Sequence, residues 1–198
     1  YSKQIGNDIN GNPIDRFGDT VVLSADGNTV AVGVPLSMGD KGTVSIYRYI
    51  NGSWTQIGDD IDGEYSFDYS TWSSGEAISL SANGNIVAIG AHRNDDAGTN
   101  RGHVRVYQYS SGSWTKLGND IDGENAGDKS GETISLSADG TIVAIGSKLN
   151  SEVGASSGHV RVYQLKIPSS YEWINNNVAK GVDTQQVDGK KYWTQLGN

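Results

Sequence analysis

LSADGNTVAVG (23–33), LSANGNIVAIG (80–90) and LSADGTIVAIG (136–146) are one phrase written three times. Leu23 to Leu80 is 57 positions and Leu80 to Leu136 is 56. A repeat of that length is a single supersecondary unit that cannot cover its own apolar faces, so the molecule is expected to be a stack of copies.

The copies extend outward from this phrase. Downstream come GTVSIYRY (42–49), GHVRVYQY (102–109) and GHVRVYQL (158–165), then the tryptophan phrases WTQIGDDIDG (54–63), WTKLGNDIDG (114–123) and WTQLGN (193–198). Residues 2–11, SKQIGNDING, repeat that last phrase without its tryptophan. Each repeat reads as four strands. Val21 and Leu23, Ile78 and Leu80, Ile134 and Leu136 alternate with smaller or polar residues at strand period. Asp26-Gly27, Asn83-Gly84 and Asp139-Gly140 are expected to supply the positive-φ pair of a tight hairpin. The next run is apolar on both faces, as in a central strand covered from two sides. Asn51-Gly52-Ser53 and Ser111-Gly112-Ser113 then turn the third strand into a fourth that begins at the tryptophan.

Four antiparallel strands with a two-sided interior make a propeller blade. The expected class is all-β: three four-stranded antiparallel repeats of a β-propeller, either a partial propeller or part of a larger ring. Residues 1–198 read as one segment, with blades at 8–58, 59–118 and 119–198, an insertion at 166–190, and the start of a further repeat at 193–198. No adjacent glycine pair marks a kelch blade, and no Trp-Asp marks the shorter WD blade.

Phe17-Gly18 followed by Gly33-Val34-Pro35 resembles the naming motif pair of the FG-GAP repeat family, whose propellers form integrin α-subunit heads. Ser74-Gly75 with Gly90-Ala91-His92, and Ser130-Gly131 with Gly146-Ser147-Lys148, keep that pair in part. The resemblance implies a propeller fold and a secreted or surface-attached setting. It also raises calcium, which some blades of the family hold in the first hairpin on alternating aspartates. Here that hairpin carries a single acid, or Asn83, where calcium wants six or more oxygens, so the family site does not carry over.

Composition fits the setting. The chain has 27 glycines, no cysteine, 19% charged residues and a net charge of −8. That balance argues against a nucleic-acid partner, which calls for a basic stripe, and no apolar run is long enough to cross a membrane as a helix. Three blades cannot close a ring, so the chain reads as a window of a longer propeller, with several copies completing a ring as the other reading. Further blades of the same or another chain are therefore expected partners.

Candidate sites lie where the repeats disagree. The linker before the second blade carries Tyr65, Phe67, Tyr69 and Trp72, which suit stacking on sugar faces or anchoring a protein. Leu165 and Trp193 are 28 positions apart where Tyr109 and Trp114 are 5 apart, and the inserted stretch adds Tyr171 and Trp173. Asn94, Asp95, Asp96 and Asn100 form an acidic string able to gather oxygens around calcium. Asn51-Gly52-Ser53 is a glycosylation sequon at Asn51.

Asp60, Asp62 and Glu64, repeated as Asp120, Asp122 and Glu124, are expected to point outward from the linkers, with Ile61 and Ile121 inward. His103 and His159 are repeat-equivalent and read as packing residues. With no nucleophile elbow or metalloprotease helix, the expectation is a non-catalytic extracellular or cell-surface module for protein or carbohydrate binding, adhesion or assembly. A propeller scaffold of a secreted hydrolase, and a spacer in an extracellular filament, are the alternatives.

Overall fold

Strands β1 (Thr20–Leu23), β2 (Thr29–Val34), β3 (Thr43–Ile50), β4 (Ser53–Gln56) and β5 (Ile61–Asp62) form the first sheet of the computed structural model, which describes residues 2–13, 15–34, 41–63 and 74–167. The second sheet contains β6 (Ser74–Leu80), β7 (Ile86–Ala91), β8 (His103–Ser110), β9 (Ser113–Lys116) and β10 (Ile121–Asp122). The third is β11 (Thr133–Leu136), β12 (Ile142–Ser147) and β13 (His159–Gln164). Every pairing is antiparallel between sequence neighbours, apart from β5 and β10, which return to β3 and β8. These are blades of a β-propeller.

The outer strand is thus broken in two. β4 pairs Tyr47 to Ile50, Gly58 turns at φ 67°, and β5 resumes opposite Val44 and Thr43. The 58/59 and 118/119 blade boundaries read from the tryptophan phrase therefore fall inside the outer strands, because Ile61 and Ile121 still pair with the sheet of the blade before. The acids beside them are not simply solvated. Ser45 donates to Asp60 at 2.7 Å and Thr43 to Asp62 at 2.9 Å, while Arg105 grips Asp120 through two nitrogens. Burial opposes charge on Asp120, but the bonds from Arg105 and Lys116 prevail and bring its pKa to about 2.

The first hairpin also differs from expectation. Only its glycine is left-handed (Gly27, Gly84 and Gly140 at 72°, 64° and 74°), and the residue before it keeps an ordinary φ. Ser24 donates to Asp26 Oδ1 at 2.6 Å, the same oxygen accepts from Asn28 N, and Ser24 Oγ accepts from Thr29 N. Ser81 with Asn83, and Ser137 with Asp139, repeat the whole set. The side chain satisfies turn donors that a two-residue turn does not have, so Ser-Ala-Asp-Gly is a built four-residue turn rather than a minimal one. The two-residue turn is at the other end, where Asn51 and Gly52, then Ser111 and Gly112, are all left-handed.

Between the first two blades, Val44, Ile46, Ile57 and Ile61 bury against Ile78, Val87 and Ile89. Arg48 crosses the same seam to the Asn85 side chain at 2.9 Å and lies over the Tyr109 ring. Trp54 Nε1 donates to the Ile5 carbonyl at 3.1 Å, and Trp114 Nε1 to the Ile57 carbonyl at 2.8 Å. Trp54 and Trp114 therefore tie the first two blades to the outer-strand phrase before each. Residues beyond 167, including nearly all of the 166–190 insertion and the 193–198 phrase, lie outside the described set.

Candidate functional site

The linker after β10 threads between two loops. On one side it bonds to the β7–β8 loop, with Gly127 N to Thr99 O at 2.8 Å, Lys129 N to Asn100 O at 3.0 Å and Ser130 N to Arg101 O at 3.0 Å. On the other, Asp128 Oδ2 accepts from the Asn150 side chain of the β12–β13 loop at 3.0 Å and from Asn125 N at 2.9 Å. Asp128, Ser130 and Asn150 are all buried. A buried carboxylate held by an amide and a backbone N–H fixes the linker against the loop.

The linker and the β12–β13 loop border an open concavity of about 530 Å³ lined by Asn125, Ala126, Gly127, Asp128, Leu149, Ser151, Glu152 and Ser156. At its edge the donor atoms of Glu124, Glu152 and His159 lie within 4.8 Å of one another. His159 Nδ1 is 3.6 Å from one Glu124 oxygen and Arg161 Nη1 is 3.4 Å from the other. The guanidinium already balances Glu124, so a cation entering here competes with an ion pair, and three donors fall short of a calcium shell. The concavity and its rim instead offer amide, hydroxyl and carboxylate groups to a polar ligand.

The four residues of the acidic string come together in the β7–β8 loop. Asn94 Oδ1 accepts from Asp96 N at 2.9 Å, and Asp95 Oδ1 accepts from Asn100 N, where Asn100 sits at φ 49°. In the third blade Asn150 Oδ1 does the same for Glu152 N, and Ser151 Oγ for Ser156 N, again at φ 49°. A serine thus takes over the bond that Asp95 makes, which ties that carboxylate to loop shape. Asn51 is exposed on its hairpin turn, and its positive φ accounts for the Asn-Gly pair. Tyr65, Phe67, Tyr69, Trp72, Tyr171 and Trp173 lie outside the described residues.

His103 is buried with Nδ1 3.8 Å from Asp120 Oδ2, and His92 is buried with its pKa pushed down to about 4 by desolvation. Asn125, Asp128 and Asn150 carried no sequence signal, since they meet only across the linker and loop. Glu124 and His159 recur in the repeat phrases, but their pairing is a contact between consecutive blades.

No protein-family description and no curated protein sequence matches the chain. Solved structures do. The chain is similar to the β-propeller domain of Cps50 (Swd1) from Myceliophteria thermophila, at 12% identity and a TM-score of 0.46, covering 74% of this chain and 39% of that one. It is similar to TolB from Acinetobacter baumannii (16%, TM-score 0.44, covering 73% and 29%). The β-propeller domain of the Trilobed protease from Pyrococcus furiosus shares 8% identity at a TM-score of 0.43, covering 75% of this chain and 40% of that one. The chain spans less than half the length of each.

Proposed function

We propose that the chain is a non-catalytic propeller module of an extracellular or cell-surface protein that binds glycan or protein partners at its loop rim. The concavity between the linker and the β12–β13 loop carries the reading. Its lining pairs hydroxyl and amide groups of Ser151, Ser156 and Asn125 with the Glu152 carboxylate beside the apolar Leu149 and Ala126, a mixture that suits sugar hydroxyls and ring faces. The aromatic residues Tyr65, Phe67, Tyr69, Trp72, Tyr171 and Trp173 add stacking groups on sequence grounds. The FG-GAP resemblance supports the surface setting: Gly18 N donates to Gly33 O, joining the two motifs of the pair, and Gly131 N donates to Gly146 O in the third blade.

Screening the chain on an oligosaccharide array tests this. The expected result is binding that weakens when Ser151→Ala and Glu152→Ala are combined in a folded protein. A blank array leaves protein partners as the ligand class. Turnover of ester or glycoside substrates that disappears with Glu124→Gln would overturn the non-catalytic reading.

A further inference from the structure

Two acids line the concavity, Asp128 from the linker and Glu152 from the β12–β13 loop, and no lysine or arginine lines it with them. The basic side chains on the surrounding segments are engaged elsewhere. Arg161 lies against Glu124 and donates to the Asp122 carbonyl, Lys148 holds Glu132, and Arg101 donates to the carbonyls of Gly123 and Ala97. The concavity is therefore a place of negative charge within a chain whose net charge is already −8.

Asp128 is the sharper case. It is 3% exposed yet lines an open concavity, which puts it at the floor. Both hydrogen bonds to its carboxylate end on Oδ2, from the Asn125 N–H at 2.9 Å and from the Asn150 amide at 3.0 Å, and among the described residues Oδ1 takes none. A carboxylate this far from water, answered by two neutral donors on one oxygen, is short of a partner, because a buried ion is stabilised by an opposite charge as well as by hydrogen bonds. The rest of the lining is of another kind. Asn125 and Ser156 bring an amide and a hydroxyl, and Leu149 with Ala126 brings apolar surface.

Granting the glycan-binding function proposed for this site, we infer that the concavity selects an amino sugar, a saccharide whose ring carries a protonated primary amine, with the ammonium on Asp128 Oδ1 and the adjoining hydroxyls on Asn125 and Ser156. Glu152, exposed at the mouth, adds to the negative potential that draws the cation in. A neutral sugar offers the floor carboxylate only hydroxyl donors, which are weaker than a charge-assisted bond from an ammonium. A lysine side chain meets the acids but brings no hydroxyls for Asn125 and Ser156. Calcium wants six or more oxygens, and one oxygen of Asp128 is already spent on two donors. A volume of about 530 Å³ falls within the range of small-molecule sites, roughly 300–1,000 Å³, and leaves room for a short saccharide.

Calorimetric titration of the 198-residue chain with glucosamine oligosaccharides, their N-acetylated counterparts and neutral cello-oligosaccharides of equal length reads the selectivity. At a pH where the free amine is protonated, the amine form is expected to bind at least roughly tenfold more tightly than either neutral form, and to lose that advantage where the amine is uncharged. Asp128→Asn removes the advantage. Because Asp128 also anchors the linker, Glu152→Gln is the second variant: its side chain is exposed, and it is expected to cut the advantage by roughly threefold in a chain that folds normally. Removing the same charge from exposed Asp59, between β4 and β5, is the control for simple attraction to an acidic protein, and Asp59→Asn is expected to leave affinity within about twofold. Equal binding of all three sugars overturns the inference and leaves the glycan function standing, whereas binding of none removes both. An amine preference that falls as far with Asp59→Asn as with Glu152→Gln reduces it to bulk charge and overturns the site.

Discussion

His-Val-Arg-Val occurs at 103–106 and again at 159–162, and the two copies live in different surroundings. In the second blade all four side chains are buried, whereas in the third the two valines stand in solvent. Identical sequence and register with opposite burial means that blade stability resides in the seam with the following blade, which is the behaviour expected of a one-dimensional stack. His92 and Lys148 make the same point. They hold equivalent positions after the central strand, yet His92 is buried and Lys148 is exposed and paired with Glu132.

The comparison is broken most severely by a charge. Val106→Asp puts a carboxylate into the seam without a partner and is expected to cost about 4 kcal/mol or more, enough to unfold a marginal array. Val162→Asp, measured at a concentration where the chain is monomeric, is expected to change stability by less than about 0.5 kcal/mol. Urea midpoints of the two variants settle it: similar losses would mean that the third blade's face is covered in the isolated chain.

The turn glycines sharpen the contrast. A Cβ on Gly84 would sit 2.4 Å from Thr29 Cβ across the seam, while one on Gly27, at a similar φ, meets nothing within 4 Å. Gly84→Ala adds overpacking to left-handed strain and is expected to cost about 3 kcal/mol, against about 1 kcal/mol for Gly27→Ala. Equal melting-temperature losses for the two would remove the steric share.

Acid acts on the seam through His92. Burial holds its imidazole neutral down to about pH 4, while in the unfolded chain it takes up a proton near its ordinary 6.5. The unfolded state therefore binds more protons within that window. Stability is full above pH 6.5 and falls toward pH 4, by about 2 kcal/mol over the interval. His92→Gln is expected to flatten this part of the profile and leave the steeper loss below pH 4, where Asp120 takes up its proton. An unchanged profile in the variant would assign the loss elsewhere.

Much of this was legible in the sequence and some was not, for a physical reason. The strands and the Asn51-Gly52 turn follow from period, turn chemistry and repetition, all of which are local or repeated. The Ser24–Asp26 turn was legible as a turn but not by type, because Asp-Gly suits both a two-residue hairpin and the longer turn whose donors the aspartate satisfies. The blade boundary slipped because Ile61 and Ile121 follow a glycine and two polar residues, which read as a loop until the pairing of β5 with β3 is seen. Asp128 with Asn150, and Glu124 with His159, were out of reach: their partners are set by how one blade's linker crosses the next, and neither pair is marked by spacing.

The smallest effect concerns the tryptophan clasp and tests whether residues 2–10 are held as the complete blades hold their own outer strands. Trp114 Nε1 donates to the carbonyl of Ile57, whose own N–H is bonded to Ile46 O, so Trp114→Phe leaves the Ile57 carbonyl short of a donor beside a buried seam and is expected to cost about 1 kcal/mol. Trp54 makes the same bond to Ile5 at an exposed end, where water replaces the lost donor, so Trp54→Phe is expected to cost only a few tenths of that, about 0.3 kcal/mol. Hydrogen exchange separates the two by location rather than size. Trp54→Phe should release the amides around Ile5 and leave the first sheet protected, whereas Trp114→Phe should lower protection across the seam of the first two blades. Loss of protection throughout the first sheet in Trp54→Phe would mean that residues 2–10 already stabilise the blade they lean on, making the end phrase and the inner phrase energetically alike.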